Sequence, residues 1–77
     1  MVNGYILVRL IPGLESSAMS AMRVIPGVKD LLTVFGRWDV IVQVEATSIP
    51  ALSRIVISQI RGIQGVQATE TLVTAEF

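Results

Sequence analysis

The sequence predicts one small α+β domain with the element order βαββαβ, and two observations carry that reading. The first is an internal repeat. Ile25-Pro26-Gly27-Val28 and Ile63-Gln64-Gly65-Val66 share the pattern Ile-x-Gly-Val at an offset of 38 residues, almost half of the 77-residue chain. The same offset pairs Leu14 with Leu52, Ala18 with Val56, Met22 with Ile60, Thr33 with Thr71 and Val34 with Leu72. Two copies of one supersecondary unit are the simple explanation. The second observation is the order of periods. Within each half, β-rich runs flank a stretch of helical spacing.

Residues 4–11 place Ile6, Val8 and Leu10 on one side and Tyr5, Leu7, Arg9 and Ile11 on the other, and Pro12-Gly13 ends the run. Leu14, Ala18, Ala21, Met22 and Ile25 then form a helical stripe that Pro26-Gly27 stops. Residues 28–35 read as a second strand, broken at Gly36. Residues 39–46 alternate, with Val40, Val42, Val44 and Ala46 inward against Asp39, Ile41, Gln43 and Glu45. Thr47-Ser48 offers a helix N-cap and Pro50 suits a first helical turn. Leu52, Ile55, Val56, Ile60 and Ile63 give the second helical stripe, Gly65 ends it, and residues 66–75 make the last strand. This is the split-βαβ, or ferredoxin-like, arrangement: a four-stranded antiparallel sheet with two helices on one face.

No helix is left for the other face of the sheet. Unbroken alternation puts Tyr5, Leu7, Ile11, Leu31, Phe35, Ile41 and Val73 there, mixed with Thr33, Gln43, Thr69 and Thr71. An uncovered patch this apolar marks a partner surface, and sheet-on-sheet dimerisation covers it. Composition agrees. The chain is 52% hydrophobic and only 16% charged. A domain this short buries only about 60% of its surface alone. Without cysteine for disulfides, association is the remaining common source of stability.

Composition also excludes functions. Six Lys and Arg offset six Asp and Glu, so no basic field exists to collect phosphates or an anionic membrane. The chain has no cysteine and no histidine, which removes thiolate chemistry, the commonest general base and the commonest transition-metal ligands. Asp30, Asp39, Glu45, Glu70 and Glu76 show no metal-ligand spacing, and the glycines match no nucleotide-binding loop, so neither a metal nor a cofactor is expected. Met19 and Met22, on the first helix, read as core filling. An RNA-binding sheet of the same order would need stacked central aromatics and a basic surface, whereas the candidate strand aromatics here are Tyr5 and Phe35 and the net charge is zero. No apolar run approaches the roughly 18–20 residues of a membrane span and no leader opens the chain, so a cytoplasmic protein is expected.

Two constellations remain. Gly36-Arg37-Trp38-Asp39 joins two strands and gathers a flexible glycine, a cation, the only tryptophan and a carboxylate. Ordinary hairpin chemistry explains it: Gly36 permits positive φ, Asp39 bonds within its turn, and Trp38 covers the sheet end. A site for a small zwitterion explains it too: Asp39 takes an ammonium, bare turn N–H groups take a carboxylate, and Trp38 walls a side chain. Thr69 and Thr71 are two apart, so both hydroxyls emerge on one sheet face. They suit a half-buried strand by propensity, and they equally suit the orientation of a ligand.

Three motifs stand in order along the chain: Gly27-Val28, Gly36-x-Trp38-Asp39 and Gly65-Val66-x-x-Thr69-x-Thr71. With them, nearly all of residues 1–77 resembles the ligand-binding (RAM) domain of the Lrp/AsnC, or feast/famine, regulators. The resemblance implies a non-enzymatic amino-acid sensor. It implies domains that dimerise through their sheets and rings of such dimers, an octamer or decamer, with a free amino acid between neighbouring dimers. Carried onto this chain, the ligand site comprises Gly36, Trp38, Asp39, Thr69 and Thr71, with Arg37 bearing on ligand choice. The family's helix-turn-helix has no counterpart in these residues. A single stand-alone domain is therefore expected, without direct DNA binding, with a full-length regulator of the same family as a further partner. Two other readings stay open: a small enzyme of the dimeric α/β-barrel type, and a purely structural assembly subunit.

Overall fold

A computed structural model describes residues 1–74. Residue 75 of the expected last strand and Glu76 of the acidic set lie outside the described residues. The elements are β1 (Val2–Leu10), α1 (Glu15–Arg23), β2 (Val28–Thr33), β3 (Val40–Ala46), α2 (Ile49–Ile55), a π-helical turn (Val56–Ile60) that continues α2, and β4 (Val66–Val73). The sheet order is β2-β3-β1-β4, with every pair antiparallel. The expected βαββαβ order and the four-stranded sheet with two helices on one face are observed.

The core follows the periods read from the sequence. Ile6, Val8, Leu10, Val40, Val42, Val44 and Ala46 are buried on one face of the sheet. Ala18 and Met22 of α1, Leu52 of α2, and Val56 and Ile60 of the π turn meet them there, and Met19 packs at the margin. Leu52, Val56 and Ile60 recur every four residues and so line one face of the helical segment, which ends in the π turn. Ser48 caps α2 by accepting from the Ala51 N–H at 3.2 Å, and Pro50 sits in the first turn.

The repeat is conformational as well as sequential. At the end of α1, the Ile25 N–H donates to Met22 O and the Val28 N–H to Ile25 O; at the end of the π turn, the Ile63 N–H donates to Ile60 O and the Val66 N–H to Ile63 O. Gly27 and Gly65 occupy the same backbone region, at φ +98° and +106°. Each glycine carbonyl then accepts from a neighbouring strand or its end, Gly27 from the Glu45 N–H and Gly65 from the Ile11 N–H, both at 2.8 Å.

The repeat also explains where the faces differ from expectation. Val28 pairs with Val44 but Asp30 pairs with Gln43, so Lys29 is an extra, bulged residue. Leu10 pairs with Val66 but Arg9 pairs with Ala68, so Gln67 is the bulged residue of β4. Lys29 and Gln67 are themselves 38 positions apart. An extra residue reverses every side chain beyond it. Leu31 and Thr33 therefore lie on the helix face with Val42 and Val40, and Thr69, Thr71 and Val73 lie there with Val8, Ile6 and Gly4. All five were expected on the open face. Asp30 and Leu32 from β2 and Ala68, Glu70 and Leu72 from β4 take their places. Phe35 lies beyond β2 and is fully exposed.

The corrected open face has two cross-strand rows. Leu32, Ile41, Leu7 and Glu70 form one; Asp30, Gln43, Tyr5 and Leu72 form the other. Within one chain Leu32 is 54%, Leu72 47% and Tyr5 37% exposed.

Gly65→Ala tests the repeated turn. A Cβ there meets Leu14 Cβ at 3.0 Å and Ala18 Cβ at 3.2 Å, in a backbone region that strains any L side chain. The expected loss is about 1–3 kcal/mol of unfolding free energy in urea titration. Gly13→Ala, at φ +91° with nothing within 4 Å, is expected to cost less.

Candidate functional site

The turn after β2 is held from three directions. The Val34 N–H donates to the Asp39 carbonyl at 3.0 Å, closing the loop on itself. The Asp39 N–H donates to Val8 O at 2.9 Å, tying the loop to β1. Asp39 Oδ2 accepts from the Leu10 N–H at 2.8 Å. That last bond puts a side-chain oxygen where the strand ladder would otherwise supply a carbonyl. It satisfies a part-buried backbone donor at the end of β1.

Arg9 completes the frame. It projects from the same side of β1 as Tyr5 and Leu7. Its guanidinium donates to the Arg37 carbonyl through Nε, at 3.0 Å, and through Nη2. The Arg9 Cζ lies 5.5 Å from the centroid of the Trp38 ring, a cation–π arrangement. One side chain of β1 thus holds both the backbone and the aromatic of the turn. Sequence reasoning placed Arg9 on the open face and gave it no role. The signal was present, since Arg9 is the one charged residue in the otherwise apolar run 4–11.

Of the expected site residues, Trp38 and Asp39 are half-buried, while Gly36 and Arg37 are exposed. Gly36 has φ +125° and open space where a Cβ would stand, so its backbone is accessible. Among the described residues, only Oδ2 of the Asp39 carboxylate takes a hydrogen bond. Thr69 is half-buried and Thr71 exposed, on the helix side of β4. The turn leads into β3, and β1 separates β3 from β4. Strands lie about 4.8 Å apart, so the Thr69–Thr71 segment is roughly 10 Å from the turn. The fold therefore groups Gly36, Arg37, Trp38 and Asp39, with Arg9, and sets Thr69 and Thr71 apart on the sheet edge. Among the described residues, no group of three Asp and Glu side chains is placed to hold a metal ion. No described helix is long and apolar enough to cross a membrane.

The family model described as the Lrp/AsnC ligand binding domain matches residues 4–76. A protein of Pyrococcus abyssi named as a helix-turn-helix-type transcriptional regulator is 36% identical over 75 residues, which cover 94% of this chain and 50% of that protein. The chain thus spans about half the length of this curated relative. The crystal structure of FFRP-DM1 superposes with a TM-score of 0.91 at 31% identity, covering 97% of this chain and 100% of that one. A Neisseria meningitidis transcriptional regulator, solved as a complex with L-Met, shares the fold at a TM-score of 0.90 and 19% identity, covering 97% of this chain and 50% of that one.

Asp39 is a structural residue whatever else it does, and two substitutions separate its roles. Asp39→Ala orphans the Leu10 N–H and is expected to lose about 1–3 kcal/mol of stability. Asp39→Asn keeps a carbonyl acceptor and is expected to lose under about 1 kcal/mol in the same thermal or urea unfolding assay.

Proposed function

The chain belongs to the Lrp/AsnC ligand-binding domain family, and we propose that it is a non-enzymatic regulatory domain that binds a free amino acid between copies of itself. One observation carries this reading. The turn Gly36–Asp39 is held by β1, yet it leaves exposed backbone at Gly36 and, among the described residues, one oxygen of the half-buried Asp39 carboxylate without a hydrogen bond. Rigid support under accessible polar groups is what a small-ligand site requires. In this reading Asp39 Oδ1 accepts from the ligand ammonium, and N–H groups near Gly36 donate to ligand oxygens. Trp38 covers the ligand side chain, and Arg37, at the mouth, selects among side chains. The hydroxyls of Thr69 and Thr71 come from another copy, because the two parts stand apart in one chain.

The open face supports assembly. Leu32, Ile41 and Leu7 in one row and Tyr5 and Leu72 in the other suit sheet-on-sheet packing against a second copy. Rings of such dimers then bring the turn of one copy to the edge strand of the next. The named relative regulates transcription, so modulation of full-length regulators of the family is the output we assign. The chain has neither histidine nor cysteine, which leaves an enzymatic reading without its usual catalytic groups.

Three measurements test this. Screening the twenty amino acids by thermal shift should find a stabilising ligand, because binding to the folded state alone raises stability with ligand concentration. Calorimetry with that ligand should show Asp39→Asn weakened roughly ten- to hundred-fold, as expected for a lost charge-assisted hydrogen bond. Equal affinities remove Asp39 from the site, and a screen without a ligand favours a structural subunit. Ile41→Asp places a carboxylate in the open face and is expected to convert the dimer to monomer by light scattering, at a cost of several kcal/mol, of order 2–7. A native protein that is monomeric at micromolar concentration would overturn the assembly.

A further inference from the structure

The two halves carry equivalent surface grooves. One, of about 320 Å³, is lined by Arg61, Val66, Gln67, Ala68 and Thr69. The other, of about 220 Å³, is lined by Arg23, Val28, Lys29, Asp30 and Leu31. Every lining residue of the first is the 38-residue repeat partner of one in the second. Each groove lies between an arginine at the end of a helical segment and the bulged start of an outer strand.

The scaffold is common and the lining is not. In the first half, Lys29 is paired with Glu45 at 3.6 Å, and Asp30 adds a carboxylate whose Oδ1 accepts from the Leu31 N–H. Lys29 and Asp30 thus line that groove with their charges already partnered, and the third position is Leu31. In the second half the same three positions hold Gln67, Ala68 and Thr69. The carboxylate is gone, and an amide and a hydroxyl have appeared. Among the described residues neither Arg61 nor Arg23 makes an ion pair, and the Arg61 groove alone has no carboxylate in its lining. One unopposed guanidinium beside neutral donors is the chemistry that recognises a small anion, and its planar fork matches the two oxygens of a carboxylate.

We propose that the groove of Arg61, Gln67 and Thr69 is a carboxylate subsite. Resting on the amino-acid reading above, it takes one oxygen of the ligand's α-carboxylate at the β4 edge of one copy, while the turn of the next copy takes the other oxygen near Gly36 and the ammonium at Asp39. Thr69 then belongs to the site as a lining residue of this groove, and Arg61 and Gln67 join it. The groove at Arg23 is the unliganded counterpart.

Amide and arginine Nε–H resonances of the full, deuterated protein, followed during titration with sodium acetate, test the proposal. Sodium chloride and inorganic phosphate at equal ionic strength are the comparison arms. Acetate should give saturable shifts at Arg61 Nε–H and the Gln67 and Thr69 amides. Arg61→Gln should weaken them roughly ten- to hundred-fold and Arg23→Gln should leave them unchanged. Arg61→Lys keeps the charge at the helix end and loses the fork, so it should bind acetate more weakly while melting like the native protein. Four results overturn the proposal: no saturable shift, equal shifts around Arg23, a response that Arg61→Gln does not alter, or phosphate binding tighter than acetate, which assigns the groove to phosphate. Saturable acetate binding with no hit in the amino-acid screen keeps the groove and removes the sensing reading. An amino acid whose affinity ignores Arg61→Gln does the reverse.

Discussion

The bulged residues Lys29 and Gln67 decide what each outer strand shows to the helices and what it shows to the far side of the sheet. A strand alternates with a period of two, so one unpaired residue reverses all that follow. Here the reversal happens twice, at repeat-equivalent positions just after the Ile-x-Gly-Val turn. It brings Leu31 onto the margin of the core and turns Leu32 outward. It also carries Thr69 and Thr71 to the helix side, away from the apolar rows of the open face. Bulges suit outer strands for a second reason: they twist an exposed edge and make it a poorer template for unwanted pairing.

The central strand β1 connects these features to the candidate site. It pairs with β3 on one side and β4 on the other, so Val8 stands between Val40 and Thr69. Its last residues also bind the turn, through Val8 O, Arg9 and the Leu10 N–H. The turn and the Thr69–Thr71 segment are therefore both referred to one rigid strand whose inward side chains are buried. A ligand meeting such groups finds them pre-set, and loses less free energy to ordering the protein.

The sequence made the strands and helices legible because apolar periodicity reports burial directly. Val40, Val42, Val44 and Ala46 could be assigned from alternation alone, and Leu52, Val56 and Ile60 from their spacing of four. The bulges were not legible in that way. Lys29 and Gln67 are polar residues on outer strands, where either parity leaves them wet, so hydropathy does not register the extra residue. The trace that exists is the spacing of three between Val28 and Leu31, with Leu31 and Leu32 adjacent, a break in the period of two. The candidate turn was legible as a cluster in sequence, Gly36 to Asp39, and the residues that hold it were not. The bonds from Asp39 to Leu10 and from Arg9 to Arg37 span 29 and 28 residues, and nothing local in the chain announces them. Arg61 was legible only as the repeat partner of Arg23.

Small size ties the proposed function to assembly. The centre of the helix face is closed by its own chain, with no buried polar or charged side chain among the described residues. The open face keeps Tyr5, Leu32 and Leu72 substantially in contact with water. The proposed sheet-on-sheet association removes that area from water, so in that assembly it adds to the stability of each copy and makes that stability rise with protein concentration. A ligand held between the turn of one copy and the edge strand of another binds only the assembled state. By linkage, it must then favour assembly by the same factor that assembly favours its binding. Occupancy thus becomes a change in the population of an oligomer. A domain of this size can report an amino acid in that way without any large movement of its own backbone.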